Sequence, residues 1–344
     1  MTAIEETSAL ESNVDALVSG YVPSMILFAS IELGLFDHLD APRSIEDLST
    51  RAGCTRDGMA RLCRALVCMG LLRYEGDRIA PVEGARRLLA SSSESSLAPI
   101  ARHHQRQVAP VLNRLASAVR TGLPQHEAWP FASRPTASHP YGELERHADE
   151  YATFLEAMDR SSRGVGEAIA AFVSLEGRLV DLGCGGGEVA RGLLRASPRV
   201  TVESFDLAPA CLFARRKSAA LGFGGRHVVD VGDILRGVPA RDADAVLLSA
   251  ILADFPPSER ALILKNARAC LKPGGLLLVS ETLLDDDERG PAEAAILSVV
   301  LLTAMRGDQL SFPTLRREIE AAGFAEIVVH RGAPRDLVVA RLID

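Results

Sequence analysis

Three glycines and two acids carry the clearest chemical signal in this 344-residue chain. In Arg178-Leu-Val-Asp-Leu-Gly-Cys-Gly-Gly-Gly-Glu188 a short apolar run ends in Asp181, and glycine then recurs at Gly183, Gly185 and Gly187. Val-Ala-Arg-Gly-Leu-Leu follows at once with the pattern of an amphipathic helix. A strand, a tight turn and a helix N-terminus bring backbone N–H groups against a ligand. Glycine is required there because a Cβ would block both the approach and a positive-φ turn. A second acid, Asp206, closes the next apolar run, Val200-Thr-Val-Glu-Ser-Phe-Asp206. A carboxylate at that strand end is placed to accept hydrogen bonds from two ribose hydroxyls.

Two familiar phosphate loops do not fit. No Gly-Lys-Ser/Thr follows the glycines, and the last glycine of a G-x-G-x-x-G fingerprint is replaced by Glu188. The pattern suits a ribose-bearing ligand without a pyrophosphate, which points to S-adenosyl-L-methionine (SAM). A merely flexible glycine turn would not explain the second acid.

Other reactive side chains are less organised. The six cysteines, at 54, 63, 68, 184, 211 and 270, form no C-x-x-C pair and read as free thiols in a reducing cytoplasm. Cys184 reads as a small filler in the glycine loop. Adjacent His103 and His104 cannot share one helix face, which argues against a joint metal site and leaves one of them to line a pocket. Asp285-Asp-Asp-Glu288 reads as a solvated acidic loop, and no metal is expected. The net charge is −7 with no basic tract, so neither nucleic acid nor an anionic membrane is an expected partner. The N-terminus lacks a signal peptide's basic and apolar regions, and no apolar run is expected to reach membrane-spanning length.

The elements that must position these groups follow in order. Apolar helices are expected from about 11 to 39, dense enough to face another chain or a domain core. Ser44-Ile-Glu-Asp47 resembles a capping box opening a helix Ile45–Ala52, and Thr55 caps a second one, Arg56–Met69. Two short strands then flank Glu75-Gly-Asp77, completing a winged helix. DNA binding would use Arg56, Arg61 and Arg64, but Asp57, Glu75, Asp77 and the acidic whole oppose it. Dimerisation fits the apolar helices better. Ser91–Ser96 reads as a linker, and a helical stretch runs from His103 through Val119. A Pro-rich loop carrying the only tryptophan, Trp129, extends from Gly122 to Pro140. From Tyr141 to Phe172 the pattern is helical again, with Tyr151, Phe154, Leu155 and Met158 on one side. Strands are expected near 178–182, 200–205, 226–230, 244–248, 275–280, 326–330 and 335–341. The fold class is therefore α/β, a doubly wound seven-stranded sheet behind an N-terminal, mainly helical domain. Its ligand-binding edge gathers Asp181, Asp206, Asp233 and the run Ser249 to Asp254. The expected divisions are 1–98, 99–173 and 174–344.

With these residues in place the chain resembles the class I SAM-dependent methyltransferases, specifically the small-molecule O-methyltransferases of plant phenylpropanoid and bacterial polyketide pathways. The likeness covers nearly the whole chain. It rests on Val180-Asp-Leu-Gly-Cys-Gly-Gly-Gly187, Phe205-Asp-Leu207, Gly232-Asp-Ile-Leu235, Asp244-Ala-Val-Leu-Leu248, Leu271-Lys-Pro-Gly-Gly275 and Ala321-Ala-Gly-Phe324. The resemblance implies a Rossmann-like sheet, an N-terminal winged-helix dimerisation domain and an interlocked cytoplasmic homodimer. It also implies SAM as cofactor and S-adenosyl-L-homocysteine as product. Asp206 and Leu207 would hold the ribose, Asp233 and Ile234 would flank the adenine, and Ser249 would sit near the methionine end. Phe154, Met158, Leu252 and Met305 would line the cleft that takes a small-molecule acceptor.

The catalytic positions depart from the family. Where the family has Leu-His-Asp-Trp, with His as general base, this chain has Leu252-Ala253-Asp254-Phe255. Of the two supporting acids, one falls on Glu281 and the other on Gln309. An alanine cannot take a proton, and general-base assistance is worth about 10²–10⁴ in rate. Three expectations follow: an acceptor that reacts unaided, such as an electron-rich or enol carbon, an amine or a thiolate; another base, from Asp254, Glu281, or His103 or His104; or SAM chemistry without methyl transfer, such as hydroxylation, decarboxylation or a pericyclic step. A winged-helix regulator sensing a small molecule is the non-enzyme alternative. Asp254 could instead cap the helix starting at Pro256, and Glu281 could only bond the neighbouring turn.

Overall fold

A computed structural model describes residues 3–132, 140–332 and 334–343. The chain divides into two compact units, residues 1–105 and 106–344. The first boundary thus lies seven residues beyond the one expected, and the 106–173 segment belongs to the second unit.

The first unit opens with helices Ala3–Ser19 and Tyr21–Glu32. Leu10, Val14, Leu17, Val18 and Tyr21 are exposed on them. Within the 26-residue stretch Thr7–Glu32 an 18-residue window of mean hydropathy 1.6 is long and apolar enough to cross a membrane by length and composition. This corrects the expectation that no such run exists. Gly20 divides the run into two helices. Ser44 accepts the Asp47 N–H at 3.2 Å, and Thr55 accepts that of Gly58 at 3.2 Å. These caps start helices Ile45–Arg51 and Arg56–Cys68. Strands β1 (Leu72–Glu75) and β2 (Arg78–Pro81) form the antiparallel hairpin that follows. Leu35, Phe36, Leu48, Leu66 and Ile79 make the core of this unit. On the second capped helix Arg61 pairs with Asp57, and Arg56 pairs with Glu46. The helical stretch expected from His103 to Val119 is divided into a π turn at His104–Val108 and short helices Ala109–Leu112 and Leu115–Thr121. Pro110 has no N–H for the preceding turn, so a regular ladder cannot run through it.

The second unit is built on seven strands: β3 (Gly177–Leu182), β4 (Val200–Asp206), β5 (His227–Val231), β6 (Ala243–Ser249), β7 (Leu271–Glu281), β8 (Phe324–His330) and β9 (Asp336–Leu342). Their order in the sheet is β5-β4-β3-β6-β7-β9-β8, with β9 antiparallel to both neighbours. Every expected strand is found, and β7 begins earlier because Leu271 pairs with Ala243 ahead of a register shift. The middles of the central strands are apolar: Leu179, Val180, Val246, Leu247, Leu277 and Leu278 are all buried, as a sheet covered on both faces demands. The chain winds outward from β3 through β4 and β5, then returns to β6 beside β3 and winds the other way. That reversal opens a crevice beyond the carboxyl ends of β3 and β6. The Pro-rich loop expected between Gly122 and Pro140 lies partly, at 133–139, outside the described residues.

Helix Val165–Phe172 crosses helix Glu188–Ala196 at very short range. A Cβ on Gly166 would lie 2.2 Å from the Val189 carbonyl oxygen, so only glycine permits the crossing. Gly166→Ala is expected to cost about 1–3 kcal/mol through overpacking. Gly142→Ala, with open space around its Cβ, should change stability little. Urea denaturation of both variants beside the wild type measures the difference, and equal midpoints for the two would contradict the packing.

Candidate functional site

The glycine loop is built as its sequence requires. Gly183, Gly185 and Gly187 all have positive φ, at 80°, 54° and 83°. Gly187 is the N-cap of helix Glu188–Ala196. Asp206, at the end of β4, ties the loop down. Its Oδ2 accepts the Gly185 N–H at 2.7 Å and its Oδ1 accepts the Leu207 N–H at 2.6 Å. Each oxygen keeps a lone pair, so the carboxylate can still accept a diol. Asp233 makes an Asx turn to the Leu235 N–H at 2.9 Å. Ile234 approaches Gly183 together with Ile251, giving that side of the crevice an apolar wall.

Support beneath the loop is polar and buried. Asp181, 2% exposed, accepts from Ser204 Oγ at 3.1 Å. It therefore lies under the loop and braces it from below. Ser204 Oγ is 2.9 Å from His227 Nε2, and Ser218 Oγ is 2.8 Å from His227 Nδ1. One proton arrangement satisfies the chain: Ser218 donates to Nδ1, Nε2–H donates to Ser204, and Ser204 donates to Asp181. It requires neutral His227, whose pKa burial lowers to about 4. Arg191 is fully buried. Its Nη1 donates to the Gly186 carbonyl, and its Nη2 donates to Asp159 and Glu188, all within 2.9 Å. Lys217 also donates to Asp159, at 2.6 Å. Sequence reasoning passed over Arg191 and Asp159, since a charged residue on a helix pattern ordinarily reads as a solvated face.

The other half of the crevice gathers at the ends of β6 and β7. Ala250 follows β6 with φ 52°, a left-handed conformation that L-residues rarely adopt. It turns the chain so that the N–H groups of Ile251 and Leu252 both reach Glu281 Oε1 at 2.9 Å. Glu281 thus bonds the neighbouring turn, as its simpler reading expected. Leu252, expected in the acceptor cleft, is buried and packs with the sheet core. Ala253 is 5% exposed. Asp254 does not cap the next helix, whose N-cap is Pro256. Its Oδ2 accepts instead from the Tyr141 hydroxyl at 2.5 Å. Tyr141 meets Phe154 edge to face, ring centroids 5.8 Å apart, and Phe154 and Met158 are half-buried on helix Ala148–Ser161. Gly307 abuts the backbone of residues 253–255, and the Leu284 N–H donates to the Leu310 carbonyl at 2.9 Å. The intervening Gln309 is buried with no partner for its Oε1. Met305 ends helix Ala292–Ala304, half-buried. His104 is exposed on the first unit, 5.8 Å from the His103 ring. Tyr141 and Arg335, which donates to Ser249, carried no sequence signal beyond their types.

Burial dominates the electrostatics. It raises the pKa of Asp181 to about 7 and that of Asp206 to about 6, against the pull of the two backbone N–H bonds. Burial and then the neighbouring Asp254 charge raise Glu281 to about 7. Burial raises Asp254 to about 6, against the Tyr141 hydrogen bond and Arg335. Tyr141 itself is pushed well above its ordinary value, first by burial and then by Asp254. It stays a hydrogen-bond donor. Among the described residues no group of three His, Cys, Asp or Glu side chains is placed to hold a metal ion.

Comparison with known proteins bears on this geometry. The O-methyltransferase domain family matches residues 112–325, and the O-methyltransferase dimerisation domain family matches residues 16–91. Acetylserotonin O-methyltransferase of Gallus gallus is 30% identical over 338 residues, covering 94% of this chain and 95% of the relative. The 3-hydroxy-5-methyl-1-naphthoate 3-O-methyltransferase of Streptomyces sahachiroi is 29% identical over 318 residues, covering 90% and 88%. The solved structure of PigF with SAH superposes with a TM-score of 0.88 at 25% identity, covering 96% of this chain and 99% of that one.

The four raised carboxyls set a pH dependence. Each binds a proton more readily folded than unfolded. Each therefore contributes stability that is fully present below its unfolded pKa, near 4, and is lost as pH rises through 6 to 7. The ligand-free protein should melt at lower temperature at pH 8 than at pH 5.5, and Asp181→Asn or Glu281→Gln should narrow that gap. A melting temperature that climbs over this window, by differential scanning fluorimetry, would contradict the burial of these charges.

Proposed function

The chain belongs to the O-methyltransferase family, dimerisation domain included, and is a SAM-dependent methyltransferase; we propose that its acceptor is a small aromatic or polyketide-like metabolite, methylated at carbon or nitrogen. The observation that carries the acceptor atom is Ala253. A methyl side chain stands where a hydroxyl acceptor would need its base, and Gln309 stands where a supporting acid would be. The relatives from Streptomyces sahachiroi and Gallus gallus are named for a naphthoate and for acetylserotonin, both aromatic, which supports an aromatic acceptor.

SAM, when bound, supplies a methyl group on a positively charged sulfur that departs as neutral S-adenosyl-L-homocysteine. The residues present fit such a group. Asp206 keeps lone pairs for the ribose diol, Asp233 and Ile234 border the adenine side, and the three positive-φ glycines clear the floor. An electron-rich carbon or an amine needs no proton removed before it attacks. Alignment and exclusion of water then supply the acceleration, and Phe154 and Met158 provide the apolar wall. A second reading, a hydroxyl acceptor, is favoured by the Tyr141–Asp254 hydrogen bond. Asp254 is a buried carboxylate, ionised above about pH 6, able to take a proton passed through the tyrosine hydroxyl. The dimerisation domain supports a homodimer, which would cover the exposed Leu10, Val14, Leu17 and Val18. The six cysteines, all free, suit a cytoplasmic enzyme without nucleic-acid or membrane partners.

Two measurements test this. Asp206→Ala removes two charge-assisted acceptors and should weaken S-adenosyl-L-homocysteine binding by about a hundredfold or more in calorimetry; unchanged affinity would overturn the cofactor site. For the acceptor atom, methyl-labelled SAM is offered with phenols, enols and aromatic amines, and the products are located by NMR. Carbon or nitrogen products, with Asp254→Asn slower by less than about tenfold, fit the main reading. Oxygen products whose rate falls about 10²–10⁴ in Asp254→Asn and declines below pH 6 decide for the second.

A further inference from the structure

Arg335 has no part in the chemistry above, and its surroundings are unusual for a half-buried cation. It stands at the lead-in to β9, on the edge of the sheet where β6 and β7 end. Nη1 donates to Ser249 Oγ at 3.2 Å and Nη2 donates to Ser162 Oγ at 3.2 Å. Ser249 ends β6, the direct neighbour of β3, from which the glycine loop springs. Ser162 ends helix Ala148–Ser161, whose Asp159 shares Arg191 with the Gly186 carbonyl. Both anchors therefore belong to elements that border the glycine loop.

A guanidinium carries five N–H donors in a fixed fork, and among the described residues two serine hydroxyls are the groups that receive from it. The charges of Glu281 and Asp254 favour its protonated form against the burial that lowers its pKa, yet neither closes an ion pair on it. Glu281 Oε1 is taken by two backbone N–H groups and Asp254 Oδ2 by Tyr141. A partly desolvated cation resting on neutral hydroxyls is costly unless an anion completes it. The fork matches a carboxylate in two-point geometry.

We infer that Arg335, steadied by Ser249 and Ser162, is the carboxylate-binding residue of the ligand site. The inference rests on the SAM reading. Two carboxylates have the right chemistry, the one on the methionine end of SAM and one on an aromatic acid acceptor. The position of both serines beside the glycine loop favours the methionine end.

The test compares S-adenosyl-L-homocysteine with 5′-methylthioadenosine, which keeps the nucleoside and thioether and lacks the amino acid. Calorimetry on the full-length protein gives the preference for the first over the second in wild type, Arg335→Gln and Arg335→Lys. The expected result is a preference reduced at least tenfold in Arg335→Gln and less in Arg335→Lys, which keeps the charge and loses the fork. An acceptor arm measures 1-naphthoate against 1-naphthol on protein saturated with S-adenosyl-L-homocysteine. A loss confined to this arm keeps Arg335 as the carboxylate reader and assigns the carboxylate to the acceptor. If the nucleoside preference is unchanged and the naphthoate arm shows either no change or no binding, the proposal is overturned. Should Arg335→Gln fail to fold by thermal melting, the Arg335→Lys comparison decides on its own. A wild type that binds no S-adenosyl-L-homocysteine would instead be a failure of the SAM reading.

Discussion

The donor half of the site depends on the Asp206 carboxylate and the two N–H groups it accepts, Gly185 at 2.7 Å and Leu207 at 2.6 Å. A charged acceptor bonded to backbone donors is among the stronger interactions available to a folded chain, about 1.5–3 kcal/mol each. These two hold a three-glycine loop that has little intrinsic preference for any one conformation. The loop is thus fixed by the acid that ends β4. Everything under it serves the same end. The Ser218–His227–Ser204–Asp181 chain satisfies a buried carboxyl without any cation, and the buried Arg191 joins the loop carbonyl at Gly186 to the helix that carries Phe154 and Met158.

The acceptor half obeys a different constraint. Acids there are kept out of water and next to one another, and burial drives Glu281 to about pKa 7 and Asp254 to about 6. Glu281 remains useful without a histidine to support, because its Oε1 closes the turn after the left-handed Ala250. Those two bonds give the glutamate a backbone role that does not depend on the residue at 253. Tyr141 gives Asp254 a partner at 2.5 Å, so the region keeps a proton-handling group even though the usual position holds a methyl.

Much of this was legible in the chain. The positions of all seven sheet strands, the two caps at Ser44 and Thr55, the glycine loop and the acid at the end of β4 follow from local rules: apolar runs of strand length, hydroxyl residues ahead of helices, and glycine where φ must be positive. The helical stretch from His103 to Val119 is also found, though as a π turn and two short helices rather than one regular ladder. The packing of Leu252 in the core was not legible, because its motif neighbours say nothing of which way its own side chain turns.

The sequence by itself determined the fold class, the cofactor's chemistry and the absence of a histidine at position 253, because each is a matter of residue type at short spacing. Only the tertiary structure decided what the isolated charges do. Arg191 and Asp159 are 32 residues apart, Tyr141 and Asp254 are 113 apart, and Arg335 and Ser162 are 173 apart. Hydrogen bonds and desolvation act over a few ångströms, so no local pattern announces such a pair before the sheet brings its members to one edge.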